Sequence, residues 1–346
     1  MTALVELKGV NRQFTRNLDL AAKILNLLGA RYRAQTVQAV DSVDLSIEPG
    51  EVLALVGESG CGKSTLGRIV AGILPPSSGS LAFHGRDVSN LTAADRLAWV
   101  RGVQMVFQDP MTSLNPRKSV YDIIAEAPIY HGLVPRAEAG DLVSRLLSNV
   151  GLDPNFATRM PHELSGGQRQ RVAIAQALAV RPEVLVCDEA TSALDVSIQA
   201  QILNMFLQLK DDFGLTYLFI SHNLGAVRHV ADRVVIMYLG RVVEVSPADA
   251  LFAGPRHPYT RALLLEAPRL ERRRAFEPIR GEIPSPLNPP SGCYFHPRCP
   301  MATERCRVEK PPLRSMGVGR LSACHYAEDV SPLDVAGPSA GADLLG

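Results

Sequence analysis

Val52-Leu53-Ala54-Leu55-Val56-Gly57-Glu58-Ser59-Gly60-Cys61-Gly62-Lys63-Ser64 decides the fold of this 346-residue chain. Five apolar residues in a row, without polar alternation, suit a strand buried on both faces. A glycine-rich turn follows. Leu66, Ile69, Val70 and Ile73 then recur at helical spacing until Pro75 and Pro76 stop them. Strand, glycine turn and helix in this order make a cradle for a phosphate chain. Glycines let the backbone bend so that several N–H groups face inward. The helix N-terminus adds partial positive charge. Gly57, Glu58, Ser59, Gly60, Cys61 and Gly62 form the turn, and Lys63 can reach the β- and γ-phosphates of a nucleotide. Ser64 can hold Mg²⁺, and Thr65 continues the helix beside it. Cys61 reads as a small spacer whose thiol a helix N-terminus would make more acidic.

Outward from this stretch the same alternation continues. Val103–Phe107, Val184–Cys187, Tyr217–Ile220 and Val234–Met237 are further short apolar runs. Ile198, Ile202, Met205 and Leu209 mark another helix face. Strands alternating with helices predict an α/β domain with a largely parallel core sheet. Between two strand-like stretches, Asn17 to Gln35 reads as a short amphipathic insertion, with the edge of the domain as its simplest resting place. From Pro255 onward prolines multiply, arginines cluster at Arg272–Arg274 and periodicity fades, which predicts a loop-rich module over 255–330. Residues 331–346 read as a disordered tail.

Two further segments carry chemistry. Val184-Leu185-Val186-Cys187-Asp188-Glu189 ends a buried strand in adjacent carboxylates. Asp188 would hold Mg²⁺ and Glu189 would act as general base toward a water. Leu164-Ser165-Gly166-Gly167-Gln168 precedes a helix-type stretch from Arg169 to Val180, a second anion-binding end. Two such ends about a hundred residues apart do not easily serve one nucleotide within one monomer.

Composition narrows the rest. A net charge of +1 gives no general attraction to nucleic acid or anionic lipid. No apolar run approaches the roughly 20 residues of a spanning helix, and Met1 to Arg12 lacks the apolar core of a signal peptide. The chain is therefore expected to be soluble and cytosolic, and to reach a membrane only through partners.

The order and spacing of Gly57–Ser64, Leu164–Gln168 and Val184–Glu189 resemble an ABC-type P-loop ATPase domain. That resemblance implies a RecA-like core with a helical subdomain near 109–165, within a domain covering 1–254. It implies ATP and Mg²⁺ as ligands. It also implies that Gln108, in Phe107-Gln108-Asp109-Pro110, senses Mg²⁺ and water and links to a transmembrane partner. Asp195, in Ser192-Ala193-Leu194-Asp195, matches the loop that crosses a dimer interface, and His222 matches a histidine that contacts the γ-phosphate. Phe14 is the expected aromatic under adenine, with Tyr32 as its rival. Two positions depart from the family pattern: Ala190 replaces a proline and Asn223 an aspartate. Neither removes a catalytic group.

His257-Pro258-Tyr259-Thr260-Arg261-Ala262-Leu263 and Gly292-Cys293-Tyr294-Phe295-His296-Pro297-Arg298-Cys299-Pro300 resemble the tail of oligopeptide and dipeptide importer ATPases. This implies a sister ATPase subunit, two transmembrane permeases, an extracytoplasmic solute-binding protein, and a peripheral place on the cytoplasmic side of the inner membrane. Importers of nickel, glutathione or other small solutes are the alternative. A soluble ATPase acting on DNA or ribosomes, or a subunit that binds ATP without turnover, fits less well. Cys293, Cys299, Cys306 and Cys324 crowd together with gaps of five, six and seventeen residues. Four thiolates can close a zinc site or hold a [4Fe–4S] cluster. The Pro300 after Cys299 and the resemblance favour the cluster, with zinc, or unligated thiols or disulfides, as alternatives and His296 or His325 as substitute ligands.

Overall fold

The computed structural model describes residues 3–16, 26, 35–192, 194–266 and 281–332. Its strands form two sheets. The smaller is antiparallel and contains β1 (Val5–Arg16), β2 (Gln35–Ile47), β4 (Ser78–Phe83) and β5 (Arg86–Asp87), in the order β2-β1-β4-β5. The larger contains β3 (Val52–Val56), β6 (Val103–Val106), β7 (Val184–Asp188), β8 (Thr216–Ile220), β9 (Arg233–Tyr238), β10 (Arg241–Pro247), β11 (Arg314–Ser315) and β12 (Leu321–Ser322). Its order is β11-β12-β10-β9-β3-β8-β7-β6. The five strands from β9 to β6 run parallel, and β10, β12 and β11 add an antiparallel wing.

The parallel centre is buried on both faces, as its unbroken apolar runs require. All residues of β3, β7 and β8 are buried. Strand periodicity divides them between two cores. Leu53, Leu55, Val186 and Ile220 pack with Leu66, Ile69 and Val70 of helix α1 (Lys63–Val70). Ala54, Val56, Cys187 and Phe219 face the other way, toward a second core that also holds α2 (Val120–Tyr130), α3 (Ala139–Asn149), α4 (Gly166–Leu178), α5 (Val196–Phe213) and α6 (Leu224–Val230). Each fully buried Leu or Ile contributes about 1.5–3 kcal/mol here.

The α1 helix is shorter than its apolar spacing predicts. It stops at Val70, and Ile73 is half exposed rather than on the buried face. Gly72 takes a left-handed conformation (φ +71°) with Trp99 packed against it, so the chain turns before the prolines are reached.

The predicted insertion lies outside the described residues except Asn26 and Gln35, and so do Tyr32, the Arg272–Arg274 cluster and residues 333–346. Its flanks are clear: Arg16 pairs with Gln35 and Thr15 with Thr36, so the insertion leaves and re-enters at facing positions of one hairpin.

The loop-rich C-terminal part does not stand apart. Glu244 and Val245 of β10 pair with Ser322 and Leu321 of β12, which extends the core sheet. Glu244 is 1% exposed. Its Oε1 accepts the Arg256 N–H at 2.7 Å, with Thr260 and Arg320 beside it. Burial pushes its carboxyl up to about 7. A raised folded-state value means that this stabilising contribution is complete below about pH 4.5 and is lost as pH rises through about 7. Glu244→Gln should therefore gain on the order of 3 kcal/mol over the native chain between pH 4.5 and 8. His257, which burial holds near 3, is common to both proteins, so the comparison of their pH slopes is read for Glu244. Thermal unfolding at pH 5 and pH 8 measures this, and equal pH slopes for the two proteins would refute it.

Candidate functional site

The site forms where the parallel strands end. β3 runs into residues 57–62, and Gly62 caps α1 in a left-handed conformation (φ +104°) with no side-chain cap. The turn is tight against its neighbours. A Cβ on Gly57 would lie 2.2 Å from the Met237 carbonyl oxygen, and one on Gly62 would lie 2.1 Å from that of Ala39. Lys63 is almost fully buried, and its Nζ donates to the carbonyls of Gly57 (2.8 Å) and Glu58 (3.0 Å).

β7 delivers the carboxylates beside this loop. Ser64 Oγ donates to Asp188 Oδ1 at 2.8 Å. Burial raises the Asp188 carboxyl, offset in part by that hydrogen bond and by the positive charge of Arg68. Glu189 follows in a left-handed conformation (φ +48°), its N–H bonded to Ile220 O at 3.0 Å. Its Oε1 lies 3.3 Å from Nδ1 of His222, which stands just past β8. Gln108 Nε2 donates to Ser192 Oγ (3.3 Å), and Ser192 Oγ donates to Glu189 O (2.9 Å). Ser59, Gly60, Gly62 to Thr65, Gln108 and Glu189 thus border one cleft of about 270 Å³, together with Val37 and Gly240.

Other predicted residues are placed elsewhere. Ser165 caps α4, its Oγ accepting the Gln168 N–H (3.3 Å) while Gln168 Oε1 accepts the Ser165 N–H (2.9 Å). None of Ser165, Gly166, Gly167 and Gln168 borders the cleft among its described lining. Asp195 stands at the start of α5. Phe14 lies on β1 opposite Val37, but Val37 and not Phe14 borders the cleft. The Arg12 guanidinium sits 4.8 Å from the Phe14 ring centre. Cys61 lies beneath the loop, 3% exposed, and burial raises its thiol rather than making it more acidic.

The iron–sulfur expectation is overturned, and zinc with it. Cys293, Cys299, Cys306 and Cys324 do border one small cavity of about 10 Å³. Yet no group of three or more His, Cys, Asp or Glu among the described residues is arranged to hold a metal ion. Metal ligation needs thiolates. Burial pushes the Cys299 thiol up to about 12 and the Cys324 thiol up to about 11. The proposed substitute ligands are engaged with backbone carbonyls, His296 with Cys293 O (3.0 Å) and His325 with Glu309 O (3.1 Å).

The reading of the sequence missed how the C-terminal residues reach the loop. Arg298 pairs with Glu58, and Tyr259 on α7 (Pro258–Glu266) meets the Glu58 N–H. Both residues lie in stretches that stood out in the sequence, but no spacing rule connects them to a position over 200 residues earlier.

Comparison with known proteins agrees with this geometry. Residues 40–192 match the ABC transporter family, and residues 243–306 match the oligopeptide/dipeptide transporter C-terminal region. The di/tripeptide transport ATP-binding protein DppF of Pseudomonas aeruginosa is 52% identical over 84% of this chain and 91% of its own length. The oligopeptide transport ATP-binding protein AppF of Bacillus subtilis is 48% identical over 84% of this chain and 89% of its own. Among solved structures, cbiO1 of Clostridium perfringens, part of an ABC transporter complex, superposes with a TM-score of 0.60 at 27% identity, covering 72% of this chain and 90% of that one. A dimeric ATP-binding cassette bound to ADP and Pi gives 0.60 at 26% identity, covering 70% of this chain and 98% of that one. With a phosphate-type loop, paired carboxylates and a C-terminal region that all match, this chain belongs to the ATP-binding proteins of oligopeptide/dipeptide ABC transporters.

Proposed function

We propose that this chain hydrolyses ATP to energise import of di- or oligopeptides through membrane permeases to which it binds. The observation that carries the chemistry is the meeting of Lys63, Ser64 and Glu189 on one cleft, with Asp188 hydrogen-bonded to Ser64 and His222 beside Glu189. The peptide assignment rests on the relatives and on the matching C-terminal region. Residues 1–254 act as the ATPase unit, with 109–165 as its helical part, and 255–330 as an attached module.

Each side chain has a task that its position suits. Backbone N–H groups of the 57–65 segment, other than that of Glu58, which donates to Tyr259, wrap the phosphates, and Lys63 places a positive charge at their centre. Ser64 and Asp188, two oxygen donors already touching, suit Mg²⁺, which when bound neutralises charge on the β- and γ-phosphates. Glu189 takes the proton of the attacking water as its oxygen bonds to the γ-phosphorus and the bond to the β–γ bridging oxygen breaks, leaving ADP and phosphate. His222 holds the Glu189 carboxylate in place and lies within reach of the γ-phosphate. Gln108, tied through Ser192 to the Glu189 carbonyl, orients the water and the metal. The adenine lies toward Val37 on β2, with Phe14 on the neighbouring strand.

The Ser165–Gln168 turn completes the site of a second ATPase subunit, most simply a sister chain, while Asp195 lies at the interface between them. Support comes from the absence of that turn among the described residues bordering this chain's own cleft, and from the dimeric state of the ADP-bound cassette of similar fold. Ser165→Arg should leave ATP binding to the isolated chain within about twofold of native, while turnover by the assembled transporter falls at least about a hundredfold. Phosphate release and nucleotide binding measure the two. Full turnover in that variant would refute the shared site. The solute is tested by presenting dipeptides, tripeptides, nickel or glutathione through the cognate binding protein. Stimulation of hydrolysis by nickel or glutathione alone would replace the peptide reading.

A further inference from the structure

One peptide unit of the phosphate loop is held from both sides. The Gly57 carbonyl and the Glu58 N–H belong to the same planar amide and point in opposite directions. The carbonyl accepts Lys63 Nζ at 2.8 Å, and the N–H donates to Tyr259 Oη at 2.9 Å. The Glu58 side chain is held as well. Arg298 donates to it twice, Nη1 to Oε2 at 2.7 Å and Nη2 to Oε1 at 2.9 Å. The Arg298 side chain is 5% exposed and that of Glu58 19%. Arg298 Nη1 also reaches Tyr238 Oη at 3.4 Å. Behind these groups Tyr238, Tyr259 and Phe295 form a closed triangle of rings with centroids 4.7 to 5.3 Å apart, each ring fully buried.

We propose that Arg298 and Tyr259 are positioning residues for the phosphate loop, so that the C-terminal module sets the affinity of this chain for ATP. The proposal rests on the reading of Gly57–Ser64 as the ATP phosphate site. Two physical effects support it. An unpaired Glu58 carboxylate would repel the phosphates and draw Lys63 toward itself, and the two-pronged Arg298 pair cancels that charge and fixes its direction. A freely rotating 57–58 amide would present its carbonyl to the phosphates in some orientations, and Tyr259 holds it in the one that faces Lys63. The Arg298 guanidinium and the Tyr259 hydroxyl face the loop from behind, so they act through it and not on the nucleotide.

Equilibrium binding of a fluorescent ATP analogue to the full-length chain, with KM and kcat in the assembled transporter, tests this. Arg298→Gln should raise Kd and KM about tenfold and leave kcat within about twofold, because Glu189 and His222 are untouched. Glu58→Gln combined with Arg298→Gln should recover most of the affinity, since no charge is left unpaired. Tyr259→Phe, which removes one hydroxyl, should weaken ATP binding about threefold. Folded Arg298→Gln protein with native Kd would overturn the proposal, and so would a double variant no better than the single. If Arg298→Gln does not fold, Tyr259→Phe decides, and a native Kd there overturns the proposal equally. Lys63→Ala serves as the separate control. Native ATP binding in Lys63→Ala would refute the loop as the phosphate site. Lost binding there with native binding in the Arg298 and Tyr259 variants would refute the positioning role alone.

Discussion

Glu189→Gln should lower ATP turnover by the assembled transporter about 10²–10⁴-fold while leaving ATP bound. The amide keeps the shape of the carboxylate and cannot take a proton from water. The surroundings favour a clean result. The Glu189 backbone is fixed by its N–H to Ile220 O and by Ser192 Oγ on its carbonyl, so the left-handed turn at φ +48° survives the substitution. Its side chain is mostly buried, and the His222 ring lies 3.3 Å away. Lys63, Ser64 and Asp188 are unchanged, so affinity for ATP should stay near native. Phosphate release in a single turnover and retention of labelled ATP on the protein separate the two quantities. Turnover at the native rate would move the general base to another residue.

Gly62→Ala should abolish nucleotide binding, for a steric reason alone. The residue sits at φ +104°, which L side chains rarely adopt, and its Cβ would lie 2.1 Å from the carbonyl oxygen of Ala39. Backbone meets backbone there, so no side-chain rotation relieves the clash. The cap of α1 and the loop before it must shift together. A loss of ATP affinity above about a hundredfold is expected, with destabilisation of about 1–3 kcal/mol or more. Gly60→Ala makes the comparison. Gly60 also has positive φ (+78°), but a Cβ there meets nothing within 4 Å. It should cost only the strain of the conformation, about 1–2 kcal/mol, with affinity much less affected. Thermal unfolding and equilibrium binding of the two variants provide the test. Equal affinities would show that the close approach to Ala39 does not shape the loop.

Local chemistry made most of the parallel core and the cleft legible. Val52–Val56 is a strand with the bounds its apolar run predicts, and the runs at β6 to β9 differ only at their ends. Asp188, Glu189 and the phosphate loop could be joined because each ends or follows a buried strand of one sheet. Three things were not legible. The end of α1 depends on Gly72 packing against Trp99, a long-range contact that overrides the proline signal. The four cysteines looked like ligands because they are close in sequence, but they line an apolar cavity without an arrangement, among the described residues, that could hold a metal ion. The Arg298–Glu58 pair joins a loop-rich segment to a turn 240 residues away, and charge pairing at that distance leaves no local trace.

Those same separations dictate when, during synthesis, the phosphate loop acquires its shape. The strand before it is anchored by Gly50 N–H on Thr216, 166 residues later, and by Val52 N–H on Asp232, 180 residues later. The loop itself waits longer, for Tyr259 at 201 residues and Arg298 at 240. Translation at about 5–20 residues per second puts roughly 10–50 seconds between the emergence of Glu58 and that of Arg298. For most of that interval, until β8 and β9 are made, β3 is an apolar strand without its two neighbours, and it needs shielding from other nascent chains. The part that closes the nucleotide loop is thus made long after the loop itself, and a chain ending after Gly254 would carry every phosphate-binding residue with Glu58 unheld.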